Sequence, residues 1–137
     1  MTLAREIMTP SPQCIGEHQT LVEAARLLAT LDVGVLPICG DDGKLKGMLT
    51  DRDIVVKAIA EGRDPGTTTA DDLAEGKPVY VDADDDVDEA MSLMKQHQVR
   101  RLPVIEDHRL VGIISQADIA LTASPKQTGR TVEQISE

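Results

Sequence analysis

The chain has 137 residues, 41% of them hydrophobic, with one Tyr and no Phe or Trp. Its formal net charge of -10 opposes DNA, RNA and anionic membranes, whose phosphates call for clustered Lys and Arg. The lack of aromatic stacking platforms argues further against single strands, and no apolar run approaches the roughly 18 residues of a membrane-spanning helix.

Residues 2–8 read as a short helical arm, stopped by Pro10 and Pro12. The segment 1–6 has no basic region leading into a long apolar stretch, so the cytoplasm is the expected compartment. Cys14-Ile15 follows as a brief strand. Thr20-Leu21-Val22-Glu23 is a capping box, with the Thr hydroxyl accepting one backbone N–H and the Glu carboxylate another. Leu21, Ala24, Ala25, Leu28 and Leu31 then mark one face of a helix. Residues 35–39 read as a buried strand, where Pro37 implies a sheet edge or a lost ladder bond. Gly40-Asp41-Asp42-Gly43 is turn chemistry, so residues 44–50 return as a hairpin. Residues 51–61 are expected as a helix with Ile54, Val55, Ala58 and Ile59 inward. Asp51 and Asp53 suit the positive end of its dipole.

Residues 62–68 read as a linker, and then the order repeats. A short helix is expected over 69–74 and a strand over 79–81. Helix 86–97 carries Val87, Ala90, Met91 and Met94 on one face. A hairpin follows from 101–105 and 109–115, then a helix over 116–121. The polar segment 124–137 reads as a mobile tail, or one ordered only against a partner.

The repetition is internal. Leu36-Pro37-Ile38 matches Leu102-Pro103-Val104 at an offset of 66, which also aligns Ala4 with Ala70, Pro12 with Pro78 and Glu23-Ala24 with Glu89-Ala90. Beyond the Leu-Pro strand the offset becomes 65, and Gly47-Met48-Leu49-Thr50-Asp51-Arg52-Asp53 aligns with Gly112-Ile113-Ile114-Ser115-Gln116-Ala117-Asp118. The fold class is therefore α/β of mixed α+β kind: two β-α-β-β-α repeats, each preceded by a helical arm. The expected divisions are 1–61 and 69–123, with 62–68 between them and the tail after. One repeat of some sixty residues has a marginal core, so a pseudo-symmetric pair is the stable solution.

Each motif carries a hydroxyl and then a carboxylate from a strand end into a helix N-terminus. A carboxylate accepts both hydroxyls of a ribose diol, and helix N–H groups favour phosphate. Thr50-x-x-Asp53 and Ser115-x-x-Asp118 are equally an N-cap with an acid at its third position. Arg100 and Arg101 are a solvated face or phosphate ligands. Neighbours on a strand point to opposite sides, so one of the two faces a ligand, and Arg101 is preferred.

Other features are weaker. The run Asp82, Asp84, Asp85, Asp86, Asp88 lacks the Gly and Glu of a calcium loop and reads as a turn with an N-cap at Asp86. His18, His97 and His108 have no helical metal spacing, so no metal is expected. Cys14 and Cys39 form either a disulfide or two free thiols, the ordinary state in a reducing cytosol. The second repeat has Tyr80 and Ile105 at those places. No nucleophile with a matched His and acid, and no phosphate loop, points to catalysis.

With Ala4-Arg5-Glu6-Ile7-Met8-Thr9, Val35-Leu36-Pro37-Ile38 and Val99-Arg100-Arg101-Leu102-Pro103-Val104, the two motifs make the chain resemble a tandem pair of cystathionine β-synthase (CBS) domains, the Bateman module. It looks like the short stand-alone actinobacterial proteins of hypoxic-response type. The resemblance spans residues 2 to about 123. It implies a non-enzymatic regulator that binds AMP, ATP or S-adenosylmethionine in clefts between the repeats. Asp53 and Asp118 would take the ribose, Thr50 and Ser115 the ribose or phosphate, and Arg100 and Arg101 phosphates. Arg52 lies inside the first motif, where the second has Ala117. The implied partners are a second copy, stacked through helices 51–61 and 116–121, and an effector protein. The alternative is a stress-induced structural or interaction protein with vestigial clefts, responsive to redox state through Cys14 and Cys39.

Overall fold

The computed structural model describes residues 1–74 and 78–121; the expected tail 124–137 lies outside them. The elements run α1 (Ala4–Ile7), β1 (Thr9–Pro10), β2 (Ile15–Gly16), α2 (Leu21–Leu31), β3 (Val35–Cys39), β4 (Leu45–Thr50) and α3 (Asp51–Asp53), which continues as a π-helical segment, Ile54–Ile59. Then come α4 (Ala70–Leu73), β5 (Val81–Asp82), α5 (Val87–His97), β6 (Arg101–Glu106), β7 (Arg109–Ser115) and α6 (Gln116–Ala120).

The capping chemistry acts as the sequence predicts. The Thr20 hydroxyl accepts the Glu23 N–H at 3.2 Å and starts α2. Asp86 accepts the Asp88 N–H at 2.9 Å and starts α5. One sheet has the order β2-β3-β4 and the other β1-β7-β6-β5. In each, a short strand pairs in parallel with the Leu-Pro strand, and the Leu-Pro strand pairs antiparallel with the strand that ends in the motif. Pro37 and Pro103 thus sit on interior strands. Of the two options proline left open, the lost ladder bond is the one realised.

The chain divides into two compact units, Gln13–Pro78 and a split unit of Met1–Pro12 with Val79 onward. Each arm therefore packs with the strands of the other repeat. Residues 62–68, expected as the linker, lie inside the Gln13–Pro78 unit, where Thr68 is buried and its carbonyl accepts the Leu21 N–H at 2.9 Å. The cause is backbone bonding. Ala70 N–H donates to the Gln19 carbonyl and Asp71 N–H to that of Glu17. In the split unit, Ala4 N–H donates to the Asp85 carbonyl and Arg5 N–H to that of Ala83.

Each unit has its own apolar core. In Gln13–Pro78 it is built around Ile15, Leu21, Leu28, Leu36, Ile38, Leu49 and Ile54. In the split unit Val81, Met91, Met94, Leu102, Val104 and Ile114 take that part, with Ala4 of the arm. On α2 the buried face is Leu21, Ala24 and Leu28, while Ala25 and Leu31 reach solvent. After α3, Ile54 and Ala58 are buried, but Val55 and Ile59, expected inward, are 59% and 52% exposed. Ala60 N–H donates to the Val55 carbonyl and Arg63 N–H to that of Ala58, five-residue steps of a π-helical winding. Val55 and Ile59 each follow a buried residue by one position, and one step turns the chain by roughly 80–100° on either winding, so they lie beside the buried face rather than on it.

Candidate functional site

The two motifs form strand–helix corners, one in each unit. At the first, the Thr50 hydroxyl accepts the Asp53 N–H at 3.0 Å, and Asp53 Oδ2 accepts the Thr50 N–H at 3.0 Å. At the second, the Ser115 hydroxyl accepts the Asp118 N–H at 3.1 Å, and Asp118 Oδ2 accepts the Ser115 N–H at 2.8 Å. Both are reciprocal capping boxes, so the helix-start reading of these residues holds. It leaves chemistry to spare. Each box uses one carboxylate oxygen and one acceptor position of the hydroxyl, which leaves the hydroxyl proton at both corners and the second carboxylate oxygen at the Ser115 corner; at the Thr50 corner Asp53 Oδ1 lies 3.2 Å from Lys57 Nζ. The box also fixes both side chains before any ligand arrives.

The motif glycines let an arm come close. A Cβ on Gly47 would lie 3.2 Å from the Ala74 Cβ, and one on Gly112 would fall 3.0 Å from the Met8 Cβ and 2.7 Å from its Cγ. In the split unit the arm goes on as β1, which pairs Thr9 with Ile113 and Pro10 with Gly112, just before Ser115.

The basic residues separate the corners. Arg101 is the direct cross-strand partner of Ser115, so the two side chains share a sheet face. Arg100 is exposed one residue away, and its carbonyl accepts the Gln116 N–H at 2.9 Å. The matching partner of Thr50 is Val35. Arg52 is exposed, and its backbone N–H donates to Asp51 Oδ1 at 2.7 Å. Lys57, not Arg52, pairs with the Asp53 carboxylate, with Nζ 3.2 Å from Oδ1. Sequence reasoning missed Lys57, although its position four residues after Asp53 was the signal for it. Gln116 was missed too: its Oε1 is buried without a hydrogen-bond partner. An open groove of 310 Å³ in the Gln13–Pro78 unit is lined by Val56, Lys57, Glu61, Arg63, Asp72 and Leu73, and by neither Thr50 nor Asp53.

Cys14 and Cys39 form a disulfide with a Cα–Cα distance of 5.8 Å. This geometry matches the paired reading of the two cysteines. Among the described residues three carboxyls sit below their usual range. Glu23 is held there first by the hydrogen bond from Gln19, Asp42 by the backbone N–H of Lys44, and Asp72 by that of Thr69. None belongs to a corner. Among the described residues no group of three or more His, Cys, Asp or Glu is placed to hold a metal, and no helix is long and apolar enough to cross a membrane.

The family profile of the CBS domain matches residues 4–59 and 70–123. The chain is 56% identical over 120 residues to hypoxic response protein 1 of Mycobacterium tuberculosis, covering 88% of this chain and 84% of that protein. A crystal structure of hypoxic response protein I with two coordinated zinc ions superposes with a TM-score of 0.84 at 54% identity, over 90% of this chain and all of that one. A CBS domain pair solved in complex with 5-methylthioadenosine and S-adenosyl-L-methionine superposes with a TM-score of 0.76 at 29% identity, over 88% of this chain and 94% of that one.

Proposed function

The chain belongs to the CBS-domain family, and from that premise we propose that it is a regulatory protein without catalysis of its own, which binds an adenosyl nucleotide and signals to a partner protein. The observation that carries this reading is the second corner. There Arg101 stands across the ladder from Ser115 and Asp118 closes the cap, so an arginine, a hydroxyl and a carboxylate belong to one strand–helix corner. The carboxylate suits a ribose diol, and the guanidinium suits a phosphate. The adenosyl class is favoured by the related pair that binds 5-methylthioadenosine and S-adenosyl-L-methionine; AMP and ATP extend it to phosphate-bearing members. At the first corner Thr50 and Asp53 would take a ribose, but Val35 offers no charge to a phosphate.

Signalling requires that the ligand prefer one of two states. The effector in this reading is another protein, and the protein works as a homodimer in the cytoplasm. Val55, Val56 and Ile59, exposed on one helical segment, are the apolar residues offered to the second copy. A thermal-shift panel of AMP, ADP, ATP, NAD and S-adenosylmethionine tests the ligand. A ligand at a hundred times its Kd adds about 2.7 kcal/mol, which moves Tm by several degrees. Asp118→Asn keeps an acceptor for the cap but removes the charge, and should abolish the shift at the second corner.

A second reading is favoured by the disulfide: a stress-response interaction protein with vestigial ligand corners and a redox-sensitive first repeat. Mass spectrometry of the alkylated, non-reduced protein tests it. Two alkylated thiols after purification without reductant would remove its basis.

A further inference from the structure

Both units hold their arm with the same backbone strap. In the split unit, Ala83 N–H donates to the Ile105 carbonyl at 2.9 Å, and the Ala83 carbonyl accepts the Arg5 N–H of the arm at 3.0 Å. In the Gln13–Pro78 unit, Glu17 N–H donates to the Cys39 carbonyl at 3.1 Å, and the Glu17 carbonyl accepts the Asp71 N–H of the arm at 2.9 Å. A strand end thus holds a turn, and the turn holds an arm.

The side-chain reinforcement of the two straps differs. In the split unit it is ionic. Arg5 reaches from the arm to both sides of the strap, with Nε 3.0 Å from Asp84 Oδ1 and Nη2 2.8 Å from Glu106 Oε1. The corresponding residues of the other unit are Asp71, His18 and Gly40, which cannot make that pair. There the reinforcement is covalent. Cys14, just before β2, is bonded to Cys39 at the end of β3, and Cys39 supplies the carbonyl that holds Glu17. The split unit has Tyr80 and Ile105 in place of the two cysteines.

We propose that the two arms answer to different signals: the Cys14–Cys39 bond is a site of thiol–disulfide exchange whose reduction loosens the arm carrying α4, while ionic strength acts on the arm carrying α1 through Arg5. The reductant is a dithiol. It attacks one cysteine sulfur, passes through a mixed disulfide, and leaves oxidised as its own disulfide. Two electrons and two protons pass to Cys14 and Cys39, which become thiols. Both cysteines are half-buried rather than sealed in the core, so exchange does not require unfolding. The Arg5 cluster is solvent-exposed in part, and such pairs weaken as salt shortens the screening length. The inference rests on packing within each unit and does not depend on a bound nucleotide.

Hydrogen exchange read by mass spectrometry tests it on the intact chain. With dithiothreitol, amides in 69–74 should exchange about tenfold faster or more, and those in 3–8 should not change. Reoxidation should restore the first rate. In oxidised protein, raising salt from about 0.05 M to 1 M, or substituting Arg5→Gln, should accelerate 3–8 and leave 69–74 unchanged. The paired substitution Cys14→Ser with Cys39→Ser should match the reduced protein and ignore dithiothreitol. Equal acceleration of both arms by either treatment, or no response of 69–74 to reduction, overturns the proposal.

Discussion

Arg101 stands directly across the β6–β7 ladder from Ser115, and the matching pair on β3 and β4 is Val35 and Thr50. The repeat thus preserves the cap and changes its neighbour. One corner has an arginine as the cross-strand neighbour of the hydroxyl residue. The other presents a small apolar side chain, with a carboxylate already paired to Lys57.

Replacing Arg101 should therefore separate ligands by charge. A charge-assisted hydrogen bond contributes about 1.5–3 kcal/mol, so Arg101→Ala should weaken AMP or ATP roughly tenfold to a hundredfold. A ligand without phosphate, such as 5-methylthioadenosine, should bind as before. Calorimetric titration of both ligands checks this, and equal weakening would assign Arg101 a structural role.

Capping and binding can be told apart at the second corner. Ser115→Ala removes the hydroxyl that accepts the Asp118 N–H and should cost about 1 kcal/mol in urea unfolding. Ser115→Thr keeps the hydroxyl and should cost far less. Asp118→Asn keeps an acceptor for the Ser115 N–H, so stability should stay close to wild type while ligand affinity falls.

The disulfide should matter more to stability than either cap. It closes a loop with a sequence separation of 25, for which chain entropy predicts about 3.5 kcal/mol. Paired Cys14→Ser and Cys39→Ser should lower the unfolding free energy by about that amount and remove any effect of reductant on the melting curve.

Acid should act through carboxyls away from the corners. Glu23, Asp42 and Asp72 are lowered in the folded state, so the unfolded chain binds protons at a higher pH than the native one. Their contribution is complete above the unfolded values of about 4 and is lost as pH falls through the folded ones. Stability should decline below about pH 4. Gln19→Ala removes the leading hydrogen bond to Glu23, and an NMR titration should then find the Glu23 carboxyl moved up toward its ordinary value.

Local chemistry was readable in the sequence. The capping boxes at Thr20, Thr50 and Ser115 need only residues three apart, and the aligned Leu-Pro strands and motif glycines revealed the repeat. The arm exchange was not readable. Self-similarity shows that Ala4 resembles Ala70, but not that Ala4 bonds to Asp85 and Ala70 to Gln19. The π-helical winding was hidden too, because Ile54, Val55, Ala58 and Ile59 suit an α-helix as well. The cysteine pair stayed open until the parallel pairing of Gly16 with Cys39 brought Cys14 within reach. Strand alternation says only that Arg100 and Arg101 face opposite sides; it is the register that makes Arg101 the neighbour of Ser115.

The most direct measurement is a calorimetric titration of AMP, ATP and S-adenosylmethionine into the oxidised wild-type protein, with Asp118→Asn run alongside. We predict saturable heat from at least one phosphate-bearing nucleotide, at one site per chain, and its loss in Asp118→Asn. No heat from any of the three at millimolar concentration, or binding unchanged in Asp118→Asn, would contradict a nucleotide site at the Ser115–Asp118 corner.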